Sequence, residues 1–569
     1  MKKALLELEI QNGDTALKST LEQLEKNDIV NRIWRKDHTV WHPEPKEITN
    51  RLDWLTIPEE MKPQVGHLAD FAAEIRKAGF THALLLGMGG SSLAPEVFRK
   101  IFGVQPGFLD LHVLDSTHPE AVKTYADTLP LNKTLFIVST KSGGTVETLS
   151  FMKYFYRLLH RRLGEKAGDQ FVAITDPGSG LEKMARDLKF RKIFLNNPNI
   201  GGRFSALSYF GLVPAVLLGI DLDELLDRTL LMAAACQKPA EENPGALLGA
   251  FMGAFTRRKK DKLTLLSTEK LRPLGAWIEQ LVAESTGKNG KGILPVTNEP
   301  LQEPADYSPD RQFVVSRVKE DAEENSAMDL HFSTDQPLLR IELRDVYDLG
   351  QAYFLWEFAT AVAGHILEIH PFDQPNVESA KVAAREMVRI YSETGSLPTL
   401  PNARELEGLK IYGEVSGENP ADILEGFINS AASKVKEKAA GPYIAIQAYI
   451  NPNPENAEEL ARLQEKLLKK YGYPVTVGFG PRFLHSTGQL HKGDAGNGIF
   501  IQIVSTGDTD IPIPDEPTSD DAAMTFGVLV NAQSLGDRKA LLDAGREVLR
   551  VEMKADVTNG LRLLGNAIQ

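Results

Sequence analysis

Apolar positions along the chain fall into two spacings that alternate. From about residue 65 to 235 short continuous apolar runs recur, "HALLLG", "DLHVLDS", "TLFIVST", "FVAITD" and "KIFLNN", each closed by Gly, Ser, Thr, Asp or Asn and separated by amphipathic stretches. Strands buried on both faces need continuous rather than alternating apolar runs, so the pattern predicts a parallel sheet with crossover helices. A second series follows from about 240 to 400, with "KLTLLST", "GILPV", "QFVVSRV" and "LLRIEL" as strands and "DLGQAYFLWEFATAVAGHIL" as a long buried helix. Before the first series, "TALKSTLEQLEKNDIV" has helical spacing and leads into the Trp- and Pro-rich "RIWRKDHTVWHPEPKE", which predicts a helical appendage. After the second, "SETGSLPTLPNARELEG" marks a boundary or surface loop, and "YIAIQAYI", "PENAEELARLQEKLLKKYG" and "PVTVGFG" predict one further βαβ-like unit. The expected division is an N-terminal helical appendage (1–60), two α/β domains (61–238 and 239–400) and a C-terminal α/β extension (401–569) packing with the second domain. There is no repeat of 20 to 50 residues, and the one biased tract is the acidic, Pro-rich "DTDIPIPDEPTSDD".

Composition narrows the possible partners. A length of 569 residues with 42% hydrophobic content supports several cores. The net charge of −13, spread without long blocks, argues against a dedicated nucleic-acid or anionic-membrane surface, so an anionic ligand has to be held by a local site. One cysteine, Cys236, excludes an internal disulfide and a Cys-rich zinc site and fits a reducing compartment. In "MKKALLELEIQNGD" acids interrupt the apolar residues, so no leader-type apolar core forms, and no later run reaches the ~18 residues of a membrane span. A cytoplasmic protein is expected.

Five segments carry candidate chemistry. In "LLLGMGGSSLAPEVF" a strand runs into a glycine turn and a helix, which either brings backbone N–H groups onto an anion or sugar hydroxyl or is a structural turn. Ser92 stands where a dinucleotide fingerprint needs its third glycine, and no P-loop motif is present. "FIVSTKSGGTVETL" sets Thr140, Lys141, Ser142 and Thr145 around two glycines; helix capping accounts for one hydroxyl, whereas a phosphate monoester uses all of them. In "NIGGRFSALSYFGL" Arg203 follows a glycine pair at a helix start, free either to aim its fork at a developing oxyanion or to make a surface ion pair. "AESTGKNGKG" places Glu284 past the apolar "LGAWIEQLV", where Gly287 and Lys288 also read as an ordinary helix end. Last, "EIHPFDQPNVESAKVAAREM" puts Lys381 on the second turn of a helix, at a position that is ordinarily solvated.

Together and in this order the five segments resemble the phosphoglucose isomerase family, whose sheet domains are of the sugar isomerase (SIS) class. "GMGGSSLAP" is similar to its "GIGGSxLGP", "STKSGGTVET" to its "SKTxTTxET", "GGRFSALS" to "GGRFSxxS", "QLVAESTGK" to "QLxMESNGK", and "HPFDQPNVESAK" to "NxFDQWGVELGK". The resemblance spans roughly residues 60 to 390. It implies two tandem SIS-type doubly wound parallel-sheet domains and an aldose–ketose isomerase of glucose 6-phosphate and fructose 6-phosphate. Two alternatives stand beside it: a sugar-phosphate-binding regulator without chemistry, and an isomerase that also accepts mannose 6-phosphate.

Site roles follow from the resemblance. Glu284 is the base that moves a proton between C1 and C2, a step through a cis-enediolate that needs neither metal nor redox cofactor. Arg203 stabilises the enediolate, Gly90 and Ser91 contact the sugar, Thr140, Lys141, Ser142 and Thr145 hold the phosphate, and Lys381 assists ring opening. One part departs from the pattern. The family's ring-opening histidine lies between the Glu and Lys segments, where this chain has His331, His365 and His370, none in the matching context. A similar string, "GFGPRFLHSTGQLHKGD", occurs after Lys381; His485 is the better match and His491 the second. This order resembles the isomerase halves of transaldolase–isomerase fusion proteins, with no transaldolase half here. The resemblance also implies a homodimer; in the family the histidine reaches in from the neighbouring subunit, and the rearranged order here leaves both possibilities, His485 acting in cis or in trans.

Overall fold

A computed structural model describes residues 5–11, 15–321, 324–325, 336–413, 416–436, 441–505, 507, 509–554, 556–566 and 568. The N-terminal segment holds helices Thr15–Lys26 and Ile29–Trp34, as its spacing predicts, but it begins with a strand, β1 (Glu7–Gln11). The alternation in "ELEIQ" is a period-two pattern, which suits an edge strand rather than a helix.

The first sheet consists of β2 (His82–Gly87), β3 (Asp110–Leu114), β4 (Thr134–Ser139), β5 (Phe171–Thr175) and β6 (Lys192–Leu195), all parallel, in the order β3-β2-β4-β5-β6. The second contains β7 (Lys262–Ser267), β8 (Leu294–Val296), β9 (Arg311–Val318) and β10 (Leu338–Leu343) in parallel, with β1 added antiparallel against β10: β1-β10-β9-β7-β8. In each sheet the chain reverses direction beside the first central strand, β2 or β7. Open sheets of this kind form their clefts outside the carboxyl ends of such strands.

The C-terminal part is larger than one βαβ unit. It forms a sheet of β11 (Arg404–Leu406), β12 (Leu409–Tyr412), β13 (Tyr443–Tyr449), β14 (Val475–Phe479), β15 (Gly498–Val504) and a further strand, Glu547–Glu552, with a core of its own centred on Ile444, Ile446, Leu463, Ile501 and Leu549. It meets the second sheet where Tyr443, Leu490, Phe500 and Leu541 cluster with Ala283, Leu294 and Val296. It also meets the first: the acidic, Pro-rich tract lays Ile511 and Ile513 into the core beneath the helix Val146–Leu163, with Phe526 and Leu529 beside them. Arg157 and Arg161 pair with Asp520 on the outside. The helix Leu349–Ile366 is apolar all round and buried along its length, as its sequence predicts. Among the described residues no helix is long and apolar enough to cross a membrane.

Candidate active site

Three parts of the fold converge on one cavity of about 480 Å³. The first sheet supplies the turn after β2 and the loop after β4, the helix Leu274–Thr286 supplies Glu284, and the C-terminal part supplies the loop around His485. Gly90, Ser91, Thr140, Lys141, Ser142, Thr145, Arg203, Glu284, Lys381 and His485 all line it. Residues nearly 400 positions apart in sequence thus face a single space.

The glycine turn is where it is because nothing larger fits. A Cβ on Gly90 would lie 2.0 Å from the Gly202 carbonyl oxygen, so the turn after β2 and the turn carrying Arg203 press backbone to backbone. Gly89 takes a φ of 53° and packs against Gln280 and the backbone of His485. In the neighbouring loop the hydroxyls of Thr140 and Thr145 share a hydrogen bond of 2.8 Å, and Gly144 N–H donates to Ser142 Oγ. Lys141 is not a free cation: it pairs with Asp176 and donates to the Pro198 carbonyl at 2.8 Å. Burial pushes the Asp176 carboxyl above its ordinary range, with Lys141 opposing. The sequence pattern misses Arg51, which enters from the N-terminal segment, lines the same cavity, and lies over Gly201.

Glu284 sits in the last turn of its helix, mostly buried, with Oε1 3.2 Å from Arg203 Nη1 and Oε2 accepting a hydrogen bond from Gln280 Nε2 at 3.1 Å. Arg203 is tied down, which its sequence context does not reveal. Nε donates to Ser285 Oγ at 2.8 Å, Nη1 to Gln374 Oε1 at 3.0 Å, and Nη2 to the carbonyls of Pro371 at 2.6 Å and Asp373 at 3.0 Å. It is neither a surface ion pair nor a free fork: the guanidinium is buried, and its remaining Nη1 proton is the one beside Glu284. Lys288, read from sequence as an ordinary cation at a helix end, is also buried. It donates to the His370 carbonyl, the Asp373 carbonyl and Asp373 Oδ1 at 2.9, 2.6 and 2.7 Å. Burial brings its ammonium down to about 8, with the Arg203 charge acting the same way and Asp373 against it. Arg203 and Lys288 together fix the segment His370–Gln374, from which the helix Pro375–Thr394 carries Lys381 to the cavity edge, where its side chain is 43% exposed.

His485 closes the opposite wall. Its carbonyl accepts from Gln280 Nε2 at 2.7 Å, the same amide group that holds Glu284, so one side chain spaces the acid from the imidazole loop. The ring donates from Nε2 to Glu147 Oε1 at 3.0 Å. Burial alone would raise the Glu147 carboxyl; the charge of His485 and its hydrogen bond outweigh that and hold it below its ordinary value. From sequence Glu147 reads as a first-turn residue of a capped helix; its pairing with a histidine 338 positions away leaves no local trace. His491, the second candidate, is outside the cavity. It is buried among Phe500, Phe483 and Tyr443, contacts Gln447, and is driven well below the usual imidazole range by burial, with Lys492 and Arg546 adding to the effect. His365 and His370 bond the Val40 and Lys46 carbonyls, and His331 lies outside the described residues.

Two doubly wound parallel sheets with a hydroxyl- and amide-lined cavity facing a carboxylate between them define an α/β fold of the sugar isomerase (SIS) class. The crystal structure of a glucose-6-phosphate isomerase from Chlamydia trachomatis has the same fold, with a TM-score of 0.58 at 19% identity, covering 67% of this chain and 87% of that one. The family model described as phosphoglucose isomerase matches residues 65–295. A glucose-6-phosphate isomerase of Thermosynechococcus vestitus is 30% identical over 415 residues, covering 64% of this chain and 78% of the relative. One from Carboxydothermus hydrogenoformans is 27% identical over 396 residues, covering 59% and 85%. The chain belongs to the phosphoglucose isomerase family.

Proposed function

We propose that this protein is an aldose–ketose isomerase that interconverts D-glucose 6-phosphate and D-fructose 6-phosphate, with Glu284 as the base. The observation that carries this reading is the placement of the Glu284 carboxylate, with a buried guanidinium 3.2 Å away, in the same cavity as the Thr140–Thr145 loop. Substrate phosphate is held by the hydroxyls and N–H groups of that loop. Since the Lys141 charge is largely compensated by Asp176, Arg51 and Lys381 supply the positive field at the phosphate end and the rim. Gly90 and Ser91 form the floor under the sugar, where a bare backbone permits close approach.

The chemistry has two stages. His485, held by Glu147 through Nε2, exchanges a proton with the ring oxygen or hydroxyl as the hexose opens, and Lys381 assists from the rim. Glu284 then takes the proton from one of the two adjacent carbons and returns it to the other, while the Arg203 charge stabilises the enediolate. A site that only bound a sugar phosphate would have no use for an acid at those carbons. All of these groups line the cavity within one chain, which supports a site whose imidazole is supplied in cis; a homodimer is what the family resemblance implies. A cytoplasmic enzyme is the reading supported by a single, buried cysteine.

The test is a coupled assay of the purified protein with fructose 6-phosphate. Turnover is expected, and a protein with no measurable turnover is not the proposed isomerase. Arg203→Ala is expected to lower kcat by about 10²-fold, roughly 3 kcal/mol, with a smaller change in KM, as for loss of a group that acts on transition-state charge. Arg203→Lys keeps the charge but not the fork that grips Pro371, Asp373 and Gln374, so steady-state kinetics should find it intermediate.

A further inference from the structure

Residues from 505 onward have no assigned task, yet one of them reaches the catalytic machinery. Gln533, on the helix Phe526–Asp543, is buried and donates from Nε2 to Glu147 Oε1 at 2.7 Å, onto the same oxygen that receives His485 Nε2. At its other end Gln533 Oε1 accepts the hydroxyl proton of Thr117, in the loop after β3, at 2.8 Å. The direction of this chain is fixed by chemistry. An ionised carboxylate only accepts, so the Gln533 amide nitrogen must face Glu147, its oxygen must face Thr117, and the threonine must donate. With Glu147 Oε1 holding two donors, the neutral His485 ring carries its proton on Nε2 and leaves Nδ1 as its acceptor.

We propose that Gln533 is a positioning residue for the ring-opening step, holding Glu147 ionised and aimed at His485 so that the imidazole keeps one tautomer and one orientation. The C-terminal part of the chain thereby contributes to the step through two side chains, His485 and Gln533, that grip Glu147 from separate elements. The charged groups whose fields reach Glu147 are His485 and Lys381, and Gln533 adds a neutral donor that keeps the carboxylate satisfied without competing for the histidine's proton. Buried polar groups in such a chain lose more than one bond when a member is removed, because the others lose their alignment. The catalytic part of this proposal rests on the isomerase reading above.

Two substrates separate positioning from mere packing. Fructose 6-phosphate is a ring that must be opened; erythrose 4-phosphate has its O4 esterified, cannot close a ring, and needs only the Glu284 step. Gln533→Leu is expected to lower kcat on fructose 6-phosphate by about tenfold, a fraction of what general acid–base catalysis contributes, with erythrose 4-phosphate turnover within about twofold of wild type. Gln533→Glu supplies the rescue. Two carboxylates sharing one site hold a proton between them, so below the pKa of that shared proton the new acid still donates to Glu147; above it the two repel. The ratio of its fructose 6-phosphate activity to wild type should therefore fall as pH rises, while that of Gln533→Leu, which has lost a donor that keeps Glu147 ionised, should not fall and should be lowest at acid pH. A readout free of turnover uses protein labelled with ¹⁵N-histidine, with His485→Ala assigning the signal: the wild type should show the Nε2–H tautomer and Gln533→Leu a mixture. Equal losses on both substrates, or an unchanged His485 signal in Gln533→Leu, would overturn the proposal. Wild type inactive on both sugars but with the Nε2–H signal lost in Gln533→Leu would sink the isomerase reading and leave the Gln533 contact standing.

Discussion

Glu284→Gln is expected to lower kcat for fructose 6-phosphate by roughly 10³-fold, within the range by which a positioned acid or base accelerates proton transfer, with KM changed by no more than a few-fold. The substitution is close to isosteric. The amide oxygen can still face Arg203 Nη1; the amide nitrogen then takes the place of the oxygen that accepted from Gln280 Nε2, and Gln280 keeps its bond to the His485 carbonyl. Arg203 retains its bonds to Ser285, Gln374, Pro371 and Asp373, so the wall it forms stays in place. What disappears is the carboxylate proposed to accept a proton from carbon. Glutamine has no basic lone pair of comparable strength, and the Thr140–Thr145 loop, proposed above to hold the phosphate, is untouched. Steady-state kinetics beside a thermal melt will decide it. A variant that melts like the wild type and turns over within tenfold of it means that another group is the base.

The sheets and the individual motif segments were legible in the sequence because their determinants are local. Continuous apolar runs mark β2, β4, β5, β7 and β9, the hydroxyl- and glycine-rich turns mark the strand ends that line the cavity, and the all-apolar helix Leu349–Ile366 follows from its lack of a polar face. Where the structure differs from or adds to the sequence pattern, the determinants are long-range. The "ELEIQ" alternation is too short to specify a strand by itself, and the strand it forms is completed by β10, more than 300 residues away. Arg203 after a glycine pair could have pointed anywhere; its direction comes from carbonyls of the His370–Gln374 segment. Lys141 lines the cavity as its motif suggests, but its pairing with Asp176, from the loop after β5, leaves no local trace. Glu147, Gln280 and Gln533 carry no motif, since each acts through one hydrogen bond to a residue on another element. The choice between His485 and His491 is a matter of burial: both lie in one string six residues apart, and the fold turns the first into the cavity and the second into an aromatic core.

The second large effect concerns which chain supplies the imidazole. His485→Ala is expected to lower kcat on fructose 6-phosphate by about 10²-fold, through loss of the group proposed to exchange protons during ring opening. Erythrose 4-phosphate, with no ring to open, should be turned over within a few-fold of wild type. The two single variants can then be mixed. His485 faces the same chain's Glu284, and the connection is direct: Gln280 of the Glu284 helix holds the His485 carbonyl at 2.7 Å, and Glu147 of the first domain holds its ring. The loop is further anchored where Arg482 pairs with Asp115, and the helix that follows it sets Leu490 against Gly287, at which a Cβ would lie 2.3 Å from the Leu490 Cα. With so many contacts fixing it within the chain, exchange of the loop between subunits would have to break all of them. A mixture of Glu284→Gln and His485→Ala chains, unfolded and refolded together, should therefore show no more fructose 6-phosphate turnover than the sum of the two alone, because every cavity lacks one of its two proton-transfer groups. If the histidine came from a neighbouring subunit, half of the mixed dimers' sites would regain both groups and activity would rise well above that sum. Recovery of that size would place the imidazole in trans and require the His485 loop to leave the wall it forms here.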